Sequence, residues 1–216
     1  MAETEQYKGF TITVDFEMEP QNPRTEDCNL GRMICFHDNY NIGDNHMLST
    51  NIDDYDSWAD VRQKIEKYYG TVCILPVYAY EHGGIALNVK REYPFDCQWD
   101  SSMVGFIFCN REDVTKYYGH ATIDAEMLKT IENKLINEVA ILSAYFQGMV
   151  YEYRIERIKA TCDENDYPLF TGGYYDSKEC FYAAQCMIDE IVLEDDEIVY
   201  GMTNPIQLLA FMGSDE

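Results

Sequence analysis

The stretch Pro94-Phe95-Asp96-Cys97-Gln98-Trp99-Asp100-Ser101-Ser102, running straight into Met103-Val104-Gly105-Phe106-Ile107-Phe108-Cys109, decides how the chain is read. Seven uncharged, mostly β-branched or aromatic residues in succession form a buried strand. The nine before them form a polar, aromatic loop that this strand delivers. Loops held by rigid strands are where function concentrates, so Trp99, Asp100 and Ser101, with Cys97 beside them, are the first site candidates.

Working outward from this strand, both periods of regular structure occur. Phe10-Thr11-Ile12-Thr13-Val14-Asp15-Phe16 alternates as a half-buried strand, and Leu30 to His37 is a second strand followed by a turn-rich segment to His46. Met1 to Tyr7 is expected to be a frayed start, and Pro20 to Asp27 a loop. Ser57 caps a helix carrying Trp58, Val61, Ile65 and Tyr68 on one face, which Gly70 ends. Residues 72 to 89 read as a hairpin turned by His82-Gly83-Gly84, with Pro76 marking an edge position or a bulge. Asn110 caps a short helix to Tyr118. Thr122 opens the longest helix, in which Ile131, Leu135, Val139, Leu142 and Phe146 repeat every three or four residues.

Met149 to Ile158 is a strand, and 161 to 173 a loop. A last helix from Ser177 to about Leu193 carries Cys180, Ala184, Met187, Ile188 and Ile191 inward, and the acids Glu194-Asp195-Asp196-Glu197 follow as a solvated turn. The fold class is therefore α+β, a mixed or antiparallel sheet packed by one long and several shorter helices. With no low-complexity linker, a single domain over 1–216 is expected, the alternative being a C-terminal subdomain over 147–216.

Charge is the strongest compositional signal, at −23 with a pI near 4.3. It is uneven: residues 1–60 hold 13 acids against 3 Lys/Arg, residues 61–120 hold 7 against 7, and residues 121–216 hold 19 against 6. Such a field repels nucleic acid and anionic membrane and attracts basic surfaces. The acidic start lacks the basic and apolar regions of a signal peptide, and no apolar run approaches the roughly 18 residues that span a bilayer. The chain is expected in the cytoplasm. Eight cysteines without regular spacing then read as thiols rather than disulfides, with Cys73, Cys109, Cys180 and Cys186 buried.

Motifs with a known mechanism are missing: no glycine-rich nucleotide loop, no His-Glu-x-x-His, no paired Cys-x-x-Cys. Cys35, His37, His82 and Cys97, with His46 near them in sequence, are the residue types of a zinc site, but their spacing fits no standard one. A nucleophilic Cys35 or Cys97 activated by His82 and oriented by Asp100 is the corresponding catalytic alternative. No cofactor is expected.

Leu30-Gly31-x-Met33-x-Cys35-x-His37-x-x-Tyr40-x-x-Gly43-Asp44, Leu75-Pro76-x-Tyr78-x-Tyr80-x-His82-x-Gly84 and Pro94-Phe95-x-Cys97-x-Trp99-Asp100-Ser101-x-x-Val104-Gly105-x-Ile107 resemble a family of uncharacterised acidic proteins carried by phages and mobile elements. The resemblance implies a genomic setting, not an activity. Acidic proteins from that setting are similar in character to anti-restriction and anti-CRISPR inhibitors that mimic nucleic acid. The expectation is thus a binding protein in the host bacterial cytoplasm, whose partner is a CRISPR effector or restriction enzyme and which binds neither nucleic acid nor membrane. Asp53, Asp54, Asp56, Glu194, Asp195, Asp196 and Glu197 are the expected contacts. The alternative is a Cys/His-dependent enzyme or metal-binding protein acting on a nucleotide signal or a defence protein.

Overall fold

The computed structural model describes residues 2–26, 28–89, 101–119, 122–158 and 169–203, with residues 26, 101 and 193–203 defined by their backbone. In chain order these form β1 (Glu3–Tyr7), β2 (Phe10–Phe16), α1 (Pro23–Glu26), β3 (Arg32–Cys35), a 3₁₀ turn (Ile52–Asp54), α2 (Trp58–Tyr69) and β4 (Thr71–Glu81). There follow β5 (Ile85–Asn88), β6 (Ser101–Asn110), α3 (Arg111–Tyr118), α4 (Ala125–Phe146), β7 (Tyr151–Arg157), β8 (Leu169–Tyr174) and α5 (Ser177–Thr203). Two antiparallel sheets result, ordered β1-β2-β7-β8 and β3-β6-β4-β5, and the fold is α+β. Residues 21–149 form one compact unit, inserted into a second, split unit made of residues 1–20 and 150–216.

The inserted unit is built on β6. Adjacent residues of its strands enter different cores: Met33, Ile107, Cys109, Val77 and Ala79 pack with Ile131, Leu135, Val139 and Leu142 of α4. Ile34, Phe106 and Phe108 pack with Val61 and Ile65 of α2. Both faces of the sheet are covered, which is why the run Met103 to Cys109 is apolar without alternation. Burying the four α4 side chains contributes on the order of 6 to 12 kcal/mol before conformational entropy is counted. The pairing of β4 with β6 steps from Val77↔Gly105 to Tyr78↔Met103, leaving Val104 as an extra residue. This bulge reverses the phase, so Val104 and Phe106, two apart, face opposite cores. Pro76 lies next to it, opposite Phe106 of β6 and before the stretch of β4 that pairs with β5, so β4 has a strand on one side only at this position.

In the split unit, Phe10, Ile12, Val14, Tyr153 and Ile155 face Cys180, Ala184 and Ile188 of α5. β2 pairs with β7 from Phe10↔Arg157 to Phe16↔Tyr151, and the Glu17 N–H donates to Val150 O at 2.8 Å. The chain therefore leaves and re-enters this unit through neighbouring backbones, a geometry that tolerates a large insertion.

Several local expectations change. The start is not frayed, because Glu3–Tyr7 pairs with β2 as an edge strand. Residues 169–174, with two glycines that suggest a loop, add a strand to β7. Asp124 rather than Thr122 caps α4, accepting from the Met127 N–H at 2.9 Å. Tyr68 is exposed and its neighbour Tyr69 packs instead. Cys186 and Met187 are exposed, since the inward stripe of α5 runs through 180, 184 and 188. Glu194 to Glu197 is no turn: α5 continues through it to Thr203, no glycine or proline interrupting before Gly201. Among the described residues no helix is long and apolar enough to cross a membrane.

Candidate functional site

Of the loop singled out in the sequence, Cys97, Trp99 and Asp100 lie outside the described residues, and Ser101 opens β6. Ser102, the next residue, lines a cleft of about 370 Å³ together with Phe36, His37, Asp38, Asn39, Asn51, Trp58 and Glu81. Topology explains the convergence. β3 and β4 both flank β6 and run against it, so their C-terminal ends emerge beside its beginning. That brings His37 and Glu81 together from 44 positions apart. Trp58 enters as the first residue of α2, behind the Ser57 cap, whose hydroxyl accepts from the Asp60 N–H at 3.3 Å.

The His37 side chain is only 6% exposed, and both of its ring nitrogens are engaged. Nδ1 accepts from the backbone N–H groups of Asn39 at 3.2 Å and Tyr40 at 3.3 Å. The proton therefore sits on Nε2, which donates to Glu81 Oε1 at 2.9 Å. A general base or metal ligand needs a free nitrogen lone pair, and in this arrangement His37 has none. It serves to hold Glu81, whose carboxylate is 46% exposed. The aromatic wall is continuous: Phe36 lies 6.0 Å from Trp58 and 5.6 Å from Tyr55, and Trp58 meets Phe106 edge-on at 6.2 Å. No lysine or arginine lines the cleft among the described residues.

Cys35 and His82 are not brought together. Cys35 stands opposite Gly105, and Gly105 opposite Val77, so His82 lies five residues further along β4, roughly 16 Å at about 3.3 Å per residue, and two strands across. His82 instead lines a separate cleft with Tyr80, Gly84, Phe146 and Gln147. Burial pushes the Cys35 thiol up to about 12, with Asp44 adding to the shift, whereas a nucleophile requires the opposite. Among the described residues no three His, Cys, Asp or Glu side chains are grouped to hold a metal. Cys97, the fourth metal candidate, is outside the described residues.

The motif from Leu30 to Asp44 has an architectural role. Glu138, 2% exposed in the middle of α4, accepts from the N–H groups of Leu30 at 2.7 Å and Gly31 at 3.0 Å, and from Arg24 Nη1 at 3.2 Å. Arg24 also donates to Gly31 O at 2.7 Å and grips both oxygens of Asp44, which in turn accepts from the Met33 N–H at 2.8 Å. Burial pushes the Glu138 carboxyl above the usual carboxylate range, against the pull of those donors. A Cβ on Gly31 would meet Leu135, Ile107 and Glu138 within 3 Å, and one on Gly43 the Cys35 backbone at 3.0 Å. The residues missed in the sequence, Glu138 and Arg24 here and Glu81 and Asp38 in the cleft, carry no local signal. Each is an ordinary surface-type residue in the sequence, and only the fold brings its distant neighbours beside it.

Asp53, Asp54 and Asp56 are exposed just beyond Asn51 and Ile52 on the cleft rim. Asn51 caps their turn by accepting from the Asp53 N–H at 3.1 Å, and the Ser49 hydroxyl donates to Asp54. Glu194, Asp195, Asp196 and Glu197 occupy successive positions in the C-terminal third of α5. Compared with protein-family models, curated proteins and solved structures, the chain matches none.

Proposed function

We propose that the protein is an acidic inhibitor that occupies the basic nucleic-acid-binding surface of a host defence nuclease, such as a CRISPR effector or a restriction enzyme. The observation that carries this reading is the distribution of charge between the two units. The split unit joins both acidic chain ends and holds 20 Asp/Glu against 5 Lys/Arg, a net of −15 on 87 residues. The inserted unit holds 19 against 11, a net of −8 on 129. Duplex DNA presents one charge per roughly 1.7 Å of axis, and carboxylates gathered in one unit can take the place of phosphates at lysine and arginine contacts. The defence setting comes from the resemblance to proteins of phages and mobile elements. A binding role is favoured over catalysis because the one enclosed histidine of the cleft has both nitrogens committed.

The test begins with the immobilised protein and a bacterial lysate, from which bound proteins are eluted with increasing salt and identified. Each candidate nuclease is then loaded with labelled nucleic acid and titrated with the protein. Displacement at about one protein per nuclease, weakened by salt, is expected. Inhibition at far below one protein per nuclease, unaffected by salt, would mean a catalytic action instead.

A further inference from the structure

We infer that the cleft between Phe36, Trp58, Glu81 and Asp38 receives the guanidinium group of an arginine on the basic partner. The inference rests on the binding role proposed above and adds a residue-level contact to it. The geometry supplies three things such a group requires.

The first is a carboxylate fixed in advance. His37, itself held by two backbone N–H groups, anchors Glu81 Oε1 at 2.9 Å and leaves the second oxygen of Glu81 for a ligand. A pre-oriented carboxylate loses less side-chain entropy on binding than a freely rotating one. The second is an aromatic face. Phe36 and Trp58 both line the cleft, their ring planes 57° apart, and a flat guanidinium stacks on such rings while donating in its own plane. The third is acceptors for the remaining N–H groups. Arginine has five, and Asp38 and Asn39 offer a carboxylate and a carboxamide oxygen around the same space.

Charge selects the sign of the occupant. Among the described residues no lysine or arginine pairs with Glu81 or lines the cleft, so within that set its negative charge has only His37 beside it. Lysine, a compact point charge, would use the charge but neither the fork nor the stacking. The volume of about 370 Å³ falls within the range of roughly 300 to 1,000 Å³ typical of ligand sites, larger than one guanidinium. The volume leaves room for a partner loop beside the guanidinium, and it is the binding role proposed above that makes the occupant an arginine on a protein rather than a free small molecule. Arginine is also the residue that nucleic-acid-binding surfaces use for paired contacts to phosphate.

The experiment titrates the full chain with an arginine–glycine peptide, the same peptide with lysine for arginine, and N-acetyl-arginine amide, read by calorimetry and by NMR of the Trp58 indole signal. The arginine peptide is expected to bind about tenfold or more tighter than its lysine counterpart and to shift the indole signal, with the free amide far weaker. Glu81→Gln, conservative at a half-exposed position, is expected to remove the preference for arginine and most of that affinity. Equal binding of both peptides, or arginine binding that leaves the Trp58 signal unmoved, overturns the cleft assignment while the acidic-binding reading stands. Failure of both peptides to bind at low salt sinks the two together. An amide that binds as tightly as the peptide reassigns the cleft to a small ligand and defeats the inference.

Discussion

At the scale of single residues, the environment of each thiol separates the cysteines into inert and reactive. Burial pushes Cys35, Cys109 and Cys180 up to about 12, while Cys28 and Cys186 are exposed. Only the thiolate attacks an alkylating agent, and at about pH 8 a thiol of that kind is ionised about one part in ten thousand. Iodoacetamide is therefore expected to label Cys28 and Cys186 in the native protein and to reach Cys35, Cys109 and Cys180 only in denaturant, as peptide mass spectrometry would record. Native labelling of Cys35 as fast as Cys186 would restore Cys35 as a nucleophile. Gly105 shows the same dependence on surroundings. A Cβ there would stand 2.1 Å from Ile34 O, so the position admits nothing larger, although the sequence shows only a glycine inside an apolar run.

At the scale of elements, what the sequence revealed and what it hid divide along the range of the interactions. Helix ends are local events, and both ends of α2 and the start of α3 are legible in the sequence. Ser57, Asn110 and Gly70 all cap as their spacing indicates, Asn110 with Asp113 in a reciprocal capping box. Edge strands depend on distant partners, so β1 and β8, neither with a strong apolar alternation, were not. The cleft was legible only as a loop leading into Ser102, because the meeting of His37 with Glu81 depends on the strand order. The continuation of α5 through Glu194 to Glu197 leads to a prediction. The sequence places like charges at helical spacing, Glu190 with Glu194 at i,i+4 and Glu194 with Glu197 at i,i+3, a pattern that weakens a helix. Neutralising the run with Glu194→Gln, Asp195→Asn, Asp196→Asn and Glu197→Gln is expected to strengthen the helix by about 0.2 to 1 kcal/mol, raising the 222 nm signal, while weakening binding to the proposed partner. A loss of helical signal would show that these carboxylates hold the fold together. That outcome would remove their availability to a partner.

For the whole molecule, a net charge of −23 acts on the fold and on its association in opposite senses. Self-repulsion among like charges opposes the folded state, most of all in the split unit with its −15, while the same field draws a basic partner in. Salt shortens the reach of both effects, from a Debye length of about 14 Å at 0.05 M to about 4 Å at 0.5 M. Raising salt across that range is expected to increase the melting temperature of the isolated protein and to reduce its affinity for the proposed nuclease partner. Mild acid works in the same direction on the fold. Glu138 titrates above the usual carboxylate range, so the folded state binds the extra proton and stability falls as pH rises through the window between the unfolded and folded pKa values of Glu138. Asp60 and Asp189, held below their ordinary range by hydrogen bonds from Lys64 and Lys8, pull the other way only at lower pH, when their own protons return. Melting curves over salt and over pH, recorded beside salt-dependent binding, separate the two senses. If salt lowered the melting temperature, attractive ion pairs rather than repulsion would govern the fold. The excess of acids would then be an internal structural feature, not a charge held for a partner.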